Sequence, residues 1–341
     1  MSRVLTGIQS TGAPHLGNLL GAILPGIELS RQPGNEAFFF IADFHSLTTV
    51  HDPQILSDNT YATAAAWLAC GFDTDNGYFY RQSDIPEVTE LTWYLTCFFP
   101  VSRLQLAHSF KDKVDSGKIA KVSSGLMFYP MLMAADILMY DAEIVPVGKD
   151  QQQHLEFTRV VANKINHQYG EGTLVVPEAM IKEDVKTVPG TKKDEEGKFM
   201  KMSKSYNNFI NIFETDKKLR KTINKIQTDS TPQNEPKDPD NCLVYNLYKL
   251  IAPAEQVADL REAYLKPGMM YGDAKKKLFE AVIERFGDAR EKYDQLMQNR
   301  SEIDARLMEG AEKAGIVAHE VLARVRSKLG YKKLAYFGGE N

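Results

Sequence analysis

The opening stretch, residues 3 to 18, constrains this chain more than any other. Apolar alternation from Arg3 to Ile8 predicts a strand, and Gly7-Ile8-Gln9-Ser10-Thr11-Gly12-Ala13-Pro14-His15-Leu16-Gly17-Asn18 leads from it through a glycine-bearing loop into a helical pattern. A strand, a loop and a helix N-terminus in that order gather unpaired N–H groups and partial positive charge at one point, which suits phosphate oxygens. Gly17 would let adenine or ribose approach the backbone with no Cβ in the way, while His15 and Asn18 supply neutral donors for a polyphosphate. Alone, the same residues also fit an ordinary β-α turn.

The pattern continues downstream. Strand-like runs at Ala37 to Ala42, Tyr78 to Gln82 and Glu143 to Val147 alternate with helical patterns at Pro86 to Phe98, Ser123 to Tyr140 and Asp150 to His167. Asp52-Pro53 reads as a cap and first-turn proline opening an Ala-rich helix that Gly71 would close. Such alternation predicts β-α-β units around a parallel sheet. Between Ile181 and Ser205 no apolar period survives, and a mobile surface loop is expected. From Asn211 onward the sequence is helical, including an amphipathic basic helix with Lys217, Lys218, Arg220, Lys221 and Lys225 around apolar Leu219, Ile223 and Ile226. The segment Asp229 to Asp240 reads as an exposed connection, and the residues after Lys333 as a frayed tail.

Bulk properties narrow the classes. With 341 residues, 43% hydrophobic and 25% charged, the chain has ordinary globular composition and room for about two domains. It lacks both a basic-flanked signal segment and the roughly 18 uninterrupted apolar residues of a membrane span, so a soluble cytoplasmic protein with no membrane partner is expected. Cys70, Cys97 and Cys242 lie far apart without a CxxC pair, which argues against disulfides and structural zinc and for buried small side chains. A net charge of −4 does not suit a general nucleic-acid binder, and no DNA partner is expected, although a local basic patch can still hold RNA phosphates.

A second constellation, Lys201-Met202-Ser203-Lys204-Ser205, sits at the end of the polar segment. Two ammonium groups three residues apart on a loop can close on a pyrophosphate leaving group as charge develops. Together with Pro14-His15-Leu16-Gly17-Asn18, this string resembles the HIGH and KMSKS signatures of class I aminoacyl-tRNA synthetases. Asn18 replaces the final histidine of HIGH, a form seen in the tryptophan and tyrosine branch. The resemblance implies a Rossmann-type α/β fold, a doubly wound parallel sheet in a catalytic domain at residues 1–205. It also implies an α-helical tRNA anticodon-binding domain at 206–333, its last helix returning to the first domain, and a tail at 334–341.

Which amino acid is used is read from four further strings that look like the tryptophan enzymes: Gly7-Ile8-Gln9, Ile41-Ala42-Asp43-Phe44-His45-Ser46-Leu47-Thr48, the stretch Tyr129 to Leu138, and the stretch Val145 to His154. On the Tyr129 helix, Tyr129, Met133 and Asp136 share a face, so a carboxylate can accept an indole N–H in an otherwise apolar pocket. By resemblance Gln9, Tyr129 and Gln151 hold the amino group or carboxylate of L-tryptophan, and His45 helps close the pocket. His154 reads instead as a helix residue satisfied by a neighbour.

For ATP, the resemblance implies Gln9, Ser10, Thr11, Gly17 and Asn18 from the first turn, Gly148, Lys149 and Asp150 at a later strand end, and the KMSKS residues Lys201, Met202, Ser203, Lys204 and Ser205. Asp150 would take the ribose hydroxyls and Val185 would offer adenine a backbone contact. His15, Lys113, Lys201 and Lys204 are the expected catalytic residues, with Lys111 a weaker candidate beside Lys113. Mg2+ is expected on the ATP phosphates rather than in a protein cage, because no acidic cluster in the sequence looks like a metal site. The implied partners are L-tryptophan, tRNA(Trp) and a second copy in a homodimer, with an interface among the apolar helices between Pro86 and Tyr140. A tyrosine enzyme, a nucleotidylyltransferase of the same superfamily without tRNA, and a catalytically silent RNA-binding paralogue remain the alternatives.

Overall fold

The computed structural model describes residues 2–107, 110, 123–148, 151–181, 188–204 and 206–332. Its central sheet has five parallel strands in the order β3-β2-β1-β4-β5: β1 is Ser2–Ile8, β2 Asn35–Ile41, β3 Gly77–Arg81, β4 Ile144–Val147 and β5 Glu178–Ile181. The doubly wound parallel sheet expected from the β-α alternation is present, and four of its strands lie within two residues of their sequence-read bounds. The pairing of β1 with β4 matters most. After β3 the chain crosses to the other side of β1, so strand order reverses there and a crevice opens beyond the carboxyl ends of β1 and β4.

Burial of β2 on both faces explains its unbroken apolar run. Phe39 meets Trp67 and Phe72, each at 5.0 Å between ring centres, whereas Phe38 meets Tyr140 at 4.9 Å and Phe40 meets Tyr80 at 5.7 Å. A helix beginning at Leu16–Asn18 continues through a π turn, Leu19–Ile23, into Leu24–Ser30, and is named α1 throughout. Pro25 lies just past that turn, where a wider π turn accommodates a ring that would clash with an ordinary helical carbonyl. The next long helix, α2 (Pro53–Ala69), starts as read: Ile55 N–H donates to the Asp52 carboxylate at 2.9 Å, and Gly71 beyond its end takes a positive φ of 89°. Three more helices flank the sheet, α3 (Glu87–Phe98), α4 (Ser124–Leu138) and α5 (Gln152–Tyr169).

The segment expected to be a mobile loop instead contains an antiparallel pair, β6 (Pro189–Lys193) and β7 (Phe199–Lys201). Beyond it come α6 (Asp216–Asn224), α7 (Leu243–Ile251), α8 (Ala254–Tyr264), α9 (Tyr271–Gln298) and α10 (Arg300–Leu329). The basic helix is α6, with Leu219 and Ile223 fully buried on its inner face. Helix α10 lies directly on β3: Asp304 accepts from Arg81 (2.9 Å) and from the Tyr61 hydroxyl, and Gly310 brings the helix against the Phe79 backbone. The connection between Asp229 and Asp240 is less exposed than its composition suggests. Lys237 is buried at 4% exposure, donating to the carbonyls of Pro232 (2.9 Å) and Glu235 (3.3 Å), with its ammonium 5.4 Å from the Tyr271 ring centre. Among the cysteines, Cys242 is buried, Cys70 is half-buried and Cys97 is exposed on α3, so the expectation of three buried thiols fails at Cys97. Among the described residues no helix is long and apolar enough to cross a membrane.

Candidate active site

The turn after β1 is built by a reciprocal cap. Asn18 N–H donates to His15 Nδ1 at 3.2 Å, and His15 N–H donates to Asn18 Oδ1 at 3.1 Å. Since Nδ1 accepts, a neutral His15 carries its proton on Nε2, leaving that N–H as a donor. Burial, followed by the nearby Lys204 charge, pulls His15 down to about 4, so the ring is neutral near pH 7. Leu16 N–H, at the helix start, donates to the Ile210 carbonyl at 2.8 Å and ties this turn to the chain just after the KMSKS string.

That string reaches the turn directly. Met202 is buried, and its sulfur accepts from Gly17 N–H at 3.3 Å. A Cβ on Gly17 would lie 2.9 Å from His15 Cε1 and 3.3 Å from Met202 Cβ, so the missing side chain makes room for these neighbours. Gly12, at φ 137°, plays the matching part on the other side: a Cβ there would meet the Lys204 ammonium at 3.0 Å. Burial pulls Lys204 down to about 8. Between the two pieces lies a cavity of about 150 Å³ with Gln9, Thr11, His15 and Asn18 on one wall and Ser203 and Lys204 on the other.

A residue that the sequence reading passed over holds the KMSKS string in place. Asn208 is 1% exposed; its Oδ1 accepts from Ser203 N–H (2.8 Å), its Nδ2 donates to the Lys201 carbonyl (3.1 Å), and its own carbonyl accepts from Thr191 N–H (2.8 Å). Gly190 fits beneath it, where a Cβ would come within 2.2 Å of Nδ2. These bonds link β6, β7 and the catalytic string, and only the polar side chain at 208, between the segment read as loop and the helical half, hints at them.

Just beyond the carboxyl ends of β2 and β3, residues read for tryptophan form a second cluster. Asp136 is 4% exposed on α4, and its Oδ2 lies 2.9 Å from His45 Nε2. Gln82, after β3, donates from Nε2 to Oδ1 at 2.8 Å and Oδ2 at 3.0 Å. Burial raises the Asp136 carboxyl above its ordinary range, and the hydrogen bonds from His45 and Gln82 oppose that rise. Tyr129 and His45 meet edge to face at 6.1 Å, and the Tyr129 hydroxyl is 2.8 Å from His154 Nε2. His154 therefore is a buried helix residue satisfied by a neighbour, and that neighbour is a candidate substrate contact. Met133 is half-buried on the same helix, and Gln151 stands half-buried at the start of α5, after Gly148.

Two ATP candidates are turned away from the cavity. Ser10 is fully buried: its N–H and hydroxyl meet the Ser46 hydroxyl at 2.8 and 3.0 Å, and Thr60 donates to it at 3.2 Å. Its side chain pins the loop to the helices behind. Met202 likewise spends its side chain on Gly17 and the core. Lys111, Lys113, Lys149, Asp150, Val185 and Ser205 lie outside the described residues.

Comparison with known proteins agrees with this geometry. The family described as tRNA synthetases class I (W and Y) matches residues 1–287. A tryptophan–tRNA ligase of Pseudomonas aeruginosa is 44% identical over 341 residues, covering 98% of this chain and 75% of that protein. One from Fusobacterium nucleatum is 44% identical over 330 residues, covering 97% and 98%. A crystal structure of tryptophanyl-tRNA synthetase from Campylobacter jejuni, complexed with ADP and tryptophan, superposes with a TM-score of 0.88 at 43% identity, covering 96% of this chain and 99% of that one. With the family matched over most of its length and relatives this similar over nearly all of it, the chain belongs to the tryptophan–tRNA ligase family of class I aminoacyl-tRNA synthetases.

Proposed function

We propose that this protein activates L-tryptophan with ATP and transfers it to tRNA(Trp), gripping the polyphosphate between the turn after β1 and the KMSKS string. The cavity shared by His15, Asn18, Ser203 and Lys204 carries that reading. In the first step a carboxylate oxygen of tryptophan attacks the α-phosphorus in line. A new O–P bond forms, the bond to the bridging oxygen breaks, and pyrophosphate leaves with the electron pair. No covalent enzyme intermediate is needed, so the protein contributes position and charge. Lys204, with Lys201 beside it, meets the charge that grows on the leaving group, and the Nε2–H of neutral His15 donates to a phosphate oxygen. In the second step a ribose hydroxyl at the tRNA terminus attacks the activated carbonyl and AMP departs.

Gln9, Thr11, Gly148, Lys149, Asp150 and Val185 complete the proposed ATP site, and Lys113 is the proposed third phosphate-contacting lysine. The donors around the cavity are neutral or cationic and suit phosphate oxygens rather than a bare cation. Among the described residues no acidic or histidine cluster could hold a metal ion. Mg2+ would arrive on the phosphates and supply neutralising charge there.

Tryptophan is proposed to lie with its indole N–H on Asp136 and its amino acid end at Gln9, Tyr129 and Gln151. Replacing Asp136→Asn keeps the shape and removes the charged acceptor. We expect kcat/KM for tryptophan in pyrophosphate exchange to fall by about 10- to 100-fold with the circular dichroism spectrum unchanged. Unaltered kinetics would mean that the indole is read elsewhere.

Residues 1–205 are the proposed catalytic domain and 206–333 the proposed tRNA-binding domain, with basic α6 as a phosphate-positioning face. We further propose a cytoplasmic homodimer. Its proposed interface includes α3 and the residues after it, where Trp93 is 65% exposed, Cys97 is exposed and Val101 is 52% exposed, an apolar set that a second copy would cover.

A further inference from the structure

The sequence reading places Gln82 only at the end of a strand, yet it touches two of the residues assigned to tryptophan. It is 1% exposed, in a single 3-10 turn, Gln82–Asp84, that follows β3. Its Oε1 accepts from His45 N–H at 3.3 Å, while its Nε2 donates to Asp136 Oδ1 at 2.8 Å and Oδ2 at 3.0 Å. A primary amide has one acceptor end and one donor end, so these partners leave only one orientation for it. The neighbouring residue prevents drift: Ser83 donates from its backbone N–H (3.0 Å) and from its hydroxyl (2.5 Å) to the Asp43 carboxylate, on the short helix that carries His45.

The acceptor capacity of the carboxylate is then divided unequally. Oδ2 receives both His45 Nε2 and Gln82 Nε2, whereas Oδ1 receives Gln82 alone among the described contacts. An ionised carboxylate oxygen takes about two donors, so Oδ1 keeps a lone pair that its surroundings leave unfilled. We propose that Gln82 is a specificity-determining positioning residue: it locks the Asp136 carboxylate so that the free lone pair on Oδ1 faces the pocket and accepts the indole N–H. This rests on the reading of Asp136 as the indole acceptor. Without Gln82, the carboxylate can turn about its terminal torsion, a broad two-fold well, and the lone pair loses its aim. Preference for a substrate with an N–H at that point falls with it, because an acceptor site discriminates only while it is held in place.

The test uses the full-length enzyme and two substrates, tryptophan and its analogue with a ring sulfur in place of the indole N–H. Pyrophosphate exchange gives kcat/KM for each in the unaltered protein, in Gln82→Met, and in Gln82→Glu, which keeps the acceptor for His45 but sets a like charge against Asp136. Thermal midpoints identify any variant that fails to fold, and the other then carries the measurement. The expected result is a loss of about 10- to 100-fold for tryptophan, mostly in KM, with the sulfur analogue changed by less than about threefold. Equal losses for both substrates, or an undiminished preference for tryptophan, would overturn the role of Gln82 while leaving Asp136 as the acceptor. If the unaltered enzyme shows no preference between the two, the reading of Asp136 fails and the role of Gln82 fails with it.

Discussion

Lys204→Met is expected to slow tryptophan-dependent exchange of pyrophosphate into ATP by about 10²- to 10³-fold, while tryptophan binding changes little. The magnitude is that of a single preorganised charge removed from a water-poor site where charge develops only in the transition state. Two observations place the proposed role on Lys204. Its ammonium sits against Gly12, where a Cβ would come within 3.0 Å of it, and on the wall of the cavity that His15 shares. Burial has already pulled the amine down to about 8 before any phosphate arrives. The sign follows: the cation is present below that value and is lost as pH rises through it. The profile of kcat/KM for ATP, which reports the free enzyme, should fall above pH about 8 in the unaltered protein and lose that limb in Lys204→Met. Equal effects on tryptophan binding and on rate would contradict a transition-state role.

Gly310→Ala is expected to be among the most destabilising single changes available. A Cβ at that point of α10 would lie 1.9 Å from the Phe79 carbonyl oxygen, 2.6 Å from its carbon and 2.7 Å from its nitrogen. All three atoms are backbone at the centre of β3, so no side chain can swing aside, and either the helix or the strand must move. Overpacking of this kind costs upward of ~3 kcal/mol, enough to lower the melting midpoint by several degrees or to deplete soluble protein. Gly315→Ala on the same helix is the control. There a Cβ meets nothing closer than Ile85 Cδ1 at 3.8 Å, and the gain in helix propensity makes the change neutral or stabilising by up to ~1 kcal/mol. If both variants melt together with the parent, α10 does not press on β3 as described.

What could be read from the sequence divides according to how far each feature reaches along the chain. The turn from Gln9 to Asn18, the Asp52 cap and the stop at Gly71 are local: each needs particular residues within a few positions, so each leaves a spacing that can be recognised. The KMSKS string is equally local. The β6–β7 hairpin was invisible because both strands are short and β7 is largely exposed, which leaves no apolar alternation to detect. Asn208 and Gln82 escaped for a different reason. Each works by bonding to backbone or carboxylate partners that the fold brings in, and Gln82 is 54 residues from Asp136 in the chain. The Ser10 hydroxyl looks available beside a phosphate loop, whereas its partners Ser46 and Thr60 come from 36 and 50 residues away. The exposed thiol of Cys97 belongs with Trp93 on an apolar helix face, and apolar character alone does not separate such a face from a core one.

Exchange of pyrophosphate into ATP, run in parallel with tryptophan, tyrosine and phenylalanine, addresses the central claim most directly. A pocket that reads an indole N–H through a buried carboxylate should support exchange with tryptophan and reject phenylalanine by ~10⁴-fold or more, with tyrosine far below tryptophan as well. Exchange driven by tyrosine and not by tryptophan would contradict the account.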